Sequence, residues 1–466
     1  MKHNYFNFKK FNNQYLVTND FGSHLFLSPS EFSAFLQNDV HPGSELYEKL
    51  ISTRMAYEKD AFHFSSDAMH QLRSNKSYLL SATSLHIFVV TTACNLNCVY
   101  CQANSGKGNK PLFMDEETAR LAVDIALQSP EKELTFEFQG GEPLMNFKII
   151  QFIVKYSQDN KNDHIIRYSI VSNLILMTDE MLAFIVDNHI AISTSVDGTR
   201  DVHDCNRPDR NGQGSFGRVK EKITAIRKKG VELGAIETTT KKALEDPVGV
   251  VRTYENLGFN SIFIRPLTPL GKAQQSWADI GYHPEEFVDF YRKALMEIIA
   301  INQSGRLMRE DHATILLKRI QGSPLNYMEL RSPCGGGVGQ LAYYCDGTVF
   351  TCDEARMFYE MGNSAFCLGN VRQSQYKDLV STRVCRSVCS SSVLESLPSC
   401  SDCVYQPYCG TCPVVNYALY DDIIERKPNS YRYAIYKGIL DILFNLIQKN
   451  DQSILHIFAS WTTHWE

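Results

Sequence analysis

No stretch of this 466-residue chain approaches the roughly 18 consecutive apolar residues that a membrane span requires. The opening Met1-Lys2-His3-Asn4-Tyr5-Phe6-Asn7-Phe8 also lacks the apolar core of a secretory signal. A cytoplasmic protein with no membrane partner is therefore expected. Excess positive charge is missing too: the formal net charge is −5, so no global basic field argues for a nucleic acid partner. No internal repeat or low-complexity segment stands out, which leaves ordinary globular domains, about two to four by length. The 44% apolar content suits a folded core.

Cysteine is abundant. The chain has 14, and ten of them fall between Cys334 and Cys412. In a reducing compartment such clustering points to metal rather than to a disulfide framework. Three more, Cys94, Cys98 and Cys101, form a CxxxCxxC pattern directly after the apolar run Leu85 to Val90. Three thiolates on one loop can hold three irons of a cubane iron–sulfur cluster and leave the fourth open for chemistry. A zinc loop is the alternative, but zinc sites usually show paired CxxC units and a fourth ligand.

From about residue 81 to 265, strand-like and helix-like runs alternate. Strands are expected at 85–91, 133–138, 166–172, 190–196, 232–240 and 260–265, with helices at 115–128, 147–158, 178–188, 216–229 and 246–257. Six β–α units in series predict an α/β fold with a parallel sheet, right-handed crossovers and ligands at the carboxyl ends of the strands. The cysteine triplet follows the first strand. After the second comes Phe138-Gln139-Gly140-Gly141-Glu142-Pro143, where two glycines admit backbone close to a ligand and Glu142 offers a charge to an ammonium group. The fourth ends in Ser193-Thr194-Ser195-Val196-Asp197-Gly198, followed by His203-Asp204-Cys205-Asn206-Arg207.

The triplet, with Tyr100 before its last cysteine, and Gly140-Gly141-Glu142 one β–α unit later resemble the radical SAM superfamily. The resemblance implies a partial (β/α)6 barrel over residues 81–325. It implies a [4Fe-4S] cluster on Cys94, Cys98 and Cys101, with S-adenosyl-L-methionine on the open iron and an external electron donor. Gly140, Gly141 and Glu142 would meet the cofactor's amino group. Ser195 would lie near it, Arg207 would pair with its carboxylate, and Leu267-Thr268-Pro269 would close over its adenine. A guanidinium suits that task because it binds carboxylate bidentately.

Cys334, Gly347 and Cys352 form Cys-x12-Gly-x4-Cys, and Cys400, Cys403, Cys409 and Cys412 form Cys-x2-Cys-x5-Cys-x2-Cys. Together they resemble a SPASM domain, over 326–415, which carries one or two auxiliary [4Fe-4S] clusters. By that resemblance Cys334, Cys352 and Cys412 share the first cluster, with Cys345 a candidate fourth ligand, and Cys400, Cys403 and Cys409 hold the second. The chain departs from the family pattern in having two residues between its last two cysteines and no cysteine after Cys412. Tyr433 falls near the missing position. The second site is then open, closed by Cys385 or Cys389, or given to zinc. Cys205 and Cys367 read as small buried residues. In one branch of the family an aspartate placed like Asp353 accepts a proton; a plain turn aspartate is the other reading.

Residues 1–80 read as a separate small unit, with a hairpin near Asp20-Phe21-Gly22 and Ser28 or Ser30 capping a helix. They resemble a PqqD-like domain, which binds the leader of a ribosomal peptide by strand addition; a capping subdomain is the alternative. Residues 416–466 form a C-terminal helix and tail. Phe136 to Leu144, Phe263 to Leu267, Asp346 to Phe350, Asp353 to Met357 and Leu394 to Pro398 are similar to the His-Xaa-Ser system radical SAM maturases, B component. That likeness implies a ribosomally synthesised precursor peptide, a second radical SAM maturase of the same system, and a cross-link or desaturation as product. A sulfatase-type maturase forming formylglycine, and a non-catalytic metal-binding partner protein, are the rival readings.

Overall fold

The computed structural model describes residues 1–58, 61–103, 110–323 and 325–463. Five short strands come first: β1 (Lys2–His3), β2 (Asn7–Phe11), β3 (Gln14–Thr18), β4 (His24–Leu27) and β5 (Ala56–Tyr57). β2, β3 and β4 make an antiparallel sheet, and β1 pairs with β5. The expected hairpin is β3–β4. Ser28 is the cap, forming a capping box with Glu31 that satisfies two otherwise unpaired backbone donors. This unit does not stand apart. Asn7 donates to the carbonyls of Ser401 and Cys403 at 3.0 and 3.2 Å, and Thr18 donates to that of Val404 at 2.8 Å. Lys9 pairs with Asp441 at 3.0 Å. The first sheet is thus seated on the last cysteine-rich loop.

The main sheet holds β6 (Leu85–Thr91), β7 (Glu133–Gly140), β8 (Ile165–Val171), β9 (Ile190–Ser195), β10 (Leu233–Thr239), β11 (Ser261–Pro266), β12 (Arg309–Glu310), β13 (Gln340–Tyr343), β14 (Thr348–Phe350) and β15 (Cys367–Asn370). Its order is β12-β11-β10-β9-β8-β7-β6-β13-β14-β15. The run from β6 to β11 is parallel and follows chain order, as six β–α units require. The crossover helices are Glu116–Ala126, Phe147–Asn160, Asp179–Asp187, Phe216–Lys228 and Pro247–Asn256. Side chains alternate across the strands. On β7, Leu134, Phe136 and Phe138 are buried in the core, whereas Glu137 and Gln139 line a cavity on the other face.

The cysteine-rich region contributes β13, β14 and β15 to the main sheet. β13 pairs in parallel with β6, Gln340 opposite Leu85 through Tyr343 opposite Phe88. One sheet therefore bridges the expected boundary at 325/326. The physical reason is that β6 would otherwise leave a row of backbone donors and acceptors unpaired. The C-terminal helix Tyr431–Gln448 is followed by a second, Gln452–Thr463, that the sequence reading missed. It buries Ile454, Ile457, Phe458 and Trp461, at helical spacing i, i+3, i+4 and i+7. The final residues of the tail, 464–466, lie outside the described residues. Among the described residues no helix is long and apolar enough to cross a membrane.

Candidate active site

The carboxyl ends of the parallel strands open onto a cavity of about 510 Å³. Cys94, Cys98 and Cys101 line it on the loop after β6, Gly140 to Glu142 after β7, and Ser195 at the end of β9. Arg207, Pro266, Leu267 and Thr268 complete that side. Cys334, Cys352, Asp353 and Cys412 face them.

The cysteine loop is clamped by backbone. Asn97 N–H donates to the Pro208 carbonyl at 2.8 Å and Val99 N–H to that of Asn206 at 2.9 Å. Arg210 Nε donates to the Cys94 carbonyl at 2.7 Å, and Lys272 Nζ to Asn97 Oδ1 at 2.8 Å. The turn after β7 lies against the same loop. A Cβ on Gly141 would stand 2.3 Å from the Ala93 carbonyl oxygen, so only glycine fits. Glu142 is 1% exposed and accepts from Ser172 Oγ at 2.7 Å, Asn173 N at 2.8 Å and Leu144 N at 3.1 Å. Burial outweighs these donors and raises its pKa to about 7.

Asp197 is the unforeseen centre of this wall. It is fully buried, and its Oδ2 accepts from Arg207 Nε at 3.0 Å, Tyr100 Oη at 2.7 Å and Asn206 Nδ2 at 3.2 Å. Burial opposes the charge of Arg207, but Asp197, Tyr100 and Cys98 overcome it and hold its pKa above the ordinary value. Its Nη groups make no hydrogen bond among the described residues and remain available to a carboxylate in the cavity. The Ser-x-Asp-Gly string contained Asp197. Its pairing with Tyr100, 97 residues away, had no local signal.

The donor set fits an iron–sulfur cluster better than one ion. Among the described residues no three His, Cys, Asp or Glu side chains converge enough to hold a single metal. The three loop thiols all line the cavity, and Cys98 feels both Cys101 and Cys94. A multi-iron cluster separates its thiolates; a zinc ion gathers four ligands within about 2.3 Å of itself. Burial raises the Cys94 thiol to about 11 and Cys98 to about 12, so a metal bound there would have to displace a proton from each.

Cys334, Cys352 and Cys412 form a second group that interacts mutually, with Glu354 as the strongest neighbouring charge on Cys352 and Cys412. Cys345 does not join them. Its thiol donates to the Val89 carbonyl at 3.1 Å, and the charges acting on it are Glu360, Arg356 and Asp346. Pairing of β13 with β6 carries Cys345 against β6 and away from the group. Cys389, hydrogen-bonded to Cys385 on the helix Arg383–Ser390, lies beside Cys334 instead. Cys205 is exposed and Cys367 half-buried, against the expectation that both are buried.

Cys400, Cys403 and Cys409 form a third group. Their neighbours are Lys427 and Tyr433, with Lys427 Nζ 4.6 Å from the Tyr433 ring centroid. Asp353 is held at the cavity wall by Arg356, whose side chain is 2% exposed. Arg356 Nε donates to Asp353 at 2.7 Å, Nη1 to Glu360 at 3.2 Å and Nη2 to Gln139 Oε1 at 3.0 Å. Arg265 and Glu329, paired at 2.7 Å, and Arg432 add charges to the lining that the motifs did not mark.

Residues 88–240 match the model of the Radical SAM superfamily. A cysteine-type anaerobic sulfatase-maturating enzyme of Clostridium novyi is 24% identical over 342 residues, which is 71% of this chain and 87% of the relative. Among solved structures, anSMEcpe with bound AdoMet superposes with a TM-score of 0.70 at 20% identity, covering 82% of this chain and 98% of the other. Streptococcus suis SuiB bound to its precursor peptide SuiA gives 0.55 at 12% identity, covering 91% and 98%.

Proposed function

We propose that this chain, a radical SAM enzyme, removes hydrogen from a C–H bond of a ribosomally made peptide and so installs a cross-link or desaturation. One observation carries the proposal: the Cys94/Cys98/Cys101 loop and Arg207 share a single cavity with Asp353 and the group Cys334, Cys352 and Cys412. When bound, a three-thiolate [4Fe-4S] cluster with S-adenosyl-L-methionine supplies a 5′-deoxyadenosyl radical. The chain's own residues do the rest. Cys94, Cys98 and Cys101 hold the cluster. Gly140, Gly141 and Glu142 receive the cofactor's ammonium, and Arg207 receives its carboxylate. Ser195 and Leu267 to Thr268 border the remainder of the cofactor. Asp353, oriented by Arg356, accepts the proton that leaves the substrate. Cys334, Cys352 and Cys412, and Cys400, Cys403 and Cys409, would hold auxiliary clusters, which would supply an acceptor or relay for the electron or a binding point for the substrate.

A peptide substrate is supported by the shared fold with SuiB, a protein solved with its precursor peptide. The sheet β2–β4 would serve as a PqqD-like element and receive the leader on an edge strand, a capping subdomain being the alternative. Within this class we favour a peptide of the His-Xaa-Ser type, on the strings Phe136 to Leu144 and Asp353 to Met357. The test is anaerobic reconstitution with iron, sulfide and a reductant. The wild type should release 5′-deoxyadenosine and Cys98→Ala should not; a silent wild type would refute the proposal.

The Clostridium novyi relative favours a second reading, oxidation of a cysteine or serine to formylglycine. Mass spectrometry of a co-expressed peptide separates the two. Loss of two hydrogens without an aldehyde supports the first, and an aldehyde the second.

A further inference from the structure

Four arginines and five carboxylates line the cavity of about 510 Å³, and among the described residues no lysine or histidine does. Arg207 and Glu142 are assigned to the cofactor's carboxylate and ammonium. Arg265 and Arg432 share Glu329, at 2.7 and 3.3 Å, and Arg265 also acts on Glu354. Two guanidiniums there meet two carboxylates, so that side is close to neutral. The side built on β7 is not. Its cation is Arg356, which is bonded to Asp353, Glu360 and the amide oxygen of Gln139. Glu137 is left without an ion pair among the described residues.

Glu137 faces the cavity because β7 alternates: Leu134, Phe136 and Phe138 enter the core, and Glu137 and Gln139 take the other face. It precedes Gly140 by three residues, which sets it about 10 Å along the strand from the turn assigned to the cofactor's ammonium. Gln139 Nε2 donates to its Oε1 at 2.5 Å and Ser169 Oγ to its Oε2 at 3.4 Å. Both donors are neutral, so they fix the direction of the carboxylate without supplying a counter-charge. Burial raises the Glu137 pKa and Asp353 adds to the rise, against Gln139, Ser169 and Arg356. This wall is short of positive charge, and a carboxylate taken out of water carries a cost that neutral donors only partly offset. A basic side chain supplies that charge. Its aliphatic stem also suits the apolar part of the lining, Val171, Ile236 and Val414.

We infer that the peptide segment bound in this cavity carries a lysine or arginine side chain whose cation is received by Glu137, which makes Glu137 the residue that selects the substrate. The inference rests on the proposed reading that the substrate is a peptide, and goes further by naming its chemistry. Glu137 is a binding residue in this scheme and takes no part in the removal of hydrogen. Asp353, on the same wall, keeps Arg356 as its own partner at 2.7 Å, so the two carboxylates are not interchangeable.

The experiment uses full-length protein, reconstituted anaerobically and supplied with S-adenosylmethionine. The probes are acetylated and amidated pentapeptides of glycine and alanine with lysine, glutamine or glutamate at the centre. Calorimetric titration should show the lysine peptide binding wild type about tenfold more tightly than the glutamine peptide, as expected of a hydrogen bond between charged groups, with the glutamate peptide weakest. Glu137→Gln keeps the shape and removes the charge, and should erase the advantage of lysine. Glu137→Asp should retain part of it. Glu137→Lys should favour the glutamate peptide, and it remains informative if the glutamine variant misfolds. Equal affinity of wild type for the lysine and glutamine peptides, binding of neither, or a lysine preference that survives in Glu137→Gln would overturn the inference. Release of 5′-deoxyadenosine in the same wild-type samples reports separately on the radical chemistry. Release without discrimination among the peptides overturns the inference alone, whereas a silent wild type sinks the radical reading and leaves the affinities to decide the role of Glu137.

Discussion

Arg207 Nε donates to Asp197 Oδ2 at 3.0 Å, and that one oxygen also accepts from the hydroxyl of Tyr100 at 2.7 Å. Tyr100 lies between Cys98 and Cys101, so a single buried carboxylate ties the cysteine loop to the arginine assigned to the cofactor's carboxylate. Asp197→Asn keeps the shape and removes the charge, leaving a buried guanidinium without its partner. Unfolding free energy should fall by about 3–5 kcal/mol, the usual penalty for breaking a buried pair. Calorimetric titration with S-adenosylmethionine should show weakened binding. Denaturation and affinity equal to wild type would show that the pair positions nothing.

Gly141 admits no side chain. Its added Cβ would meet the backbone of Ala93, and backbone cannot swing aside as a flexible side chain can. Gly141→Ala should destabilise by about 1–3 kcal/mol through overpacking, read from thermal unfolding. Because the pressure falls on the residue before Cys94, the variant should also bind less iron on the first loop.

Cys345, in the β13–β14 turn, and Cys352, just after β14, differ in surroundings. Cys352 stands with Cys334 and Cys412, whereas Cys345 donates to the Val89 carbonyl. Cys352→Ala should lower iron and sulfide per chain after reconstitution, and Cys345→Ala should leave both unchanged. Equal losses in the two variants would restore Cys345 as a ligand.

Glu310 offers a pH test remote from the cysteines. It is fully buried, accepts from Ile264 N at 3.1 Å and from the Tyr291 hydroxyl, and caps Asp311–Ile320. Burial is the main cause that raises its pKa from 4.5 to about 8, the hydrogen bonds opposing it. Between those values the folded state holds a proton that the unfolded state has released. The contribution to stability is therefore complete below about pH 4.5 and declines as pH rises towards 8. Glu310→Gln lacks that proton equilibrium. The stability difference between wild type and variant should shift against wild type as urea denaturation is repeated from pH 5 to pH 8. A pH-independent difference would count against the buried protonation.

Much of this architecture was legible along the chain. The strands β6 to β11 begin and end within a few residues of their expected limits, because apolar runs and crossover helices leave a periodic record. The triplet at Cys94, the turn at Gly140 and Arg207 were legible as spacing. The helix Gln452–Thr463 carries an equally regular stripe in Ile454, Ile457, Phe458 and Trp461. Other features left none. Nothing near residue 340 announces that β13 adds to β6, since strand pairing across some 250 residues depends on which edge is left open. The partner of Arg356 in Gln139, 217 residues away, and the ties of Asn7 to Ser401 and Cys403 are likewise invisible to spacing.

The order of β–α units, the three thiols on one loop and the glycines that meet them follow from the sequence alone, because each is set by local periodicity or by neighbours a few residues apart. Which cysteines stand together is a different matter. The family resemblance made Cys345 a candidate fourth ligand beside Cys334, Cys352 and Cys412, and left Cys385 or Cys389 to close the last site. The tertiary structure put Cys345 against Val89, Cys389 beside Cys334, and Lys427 with Tyr433 at Cys403. A thiol's neighbours are decided by how strands and loops pack after the chain has folded, and buried charge then has to find its counter-charge wherever that packing places it.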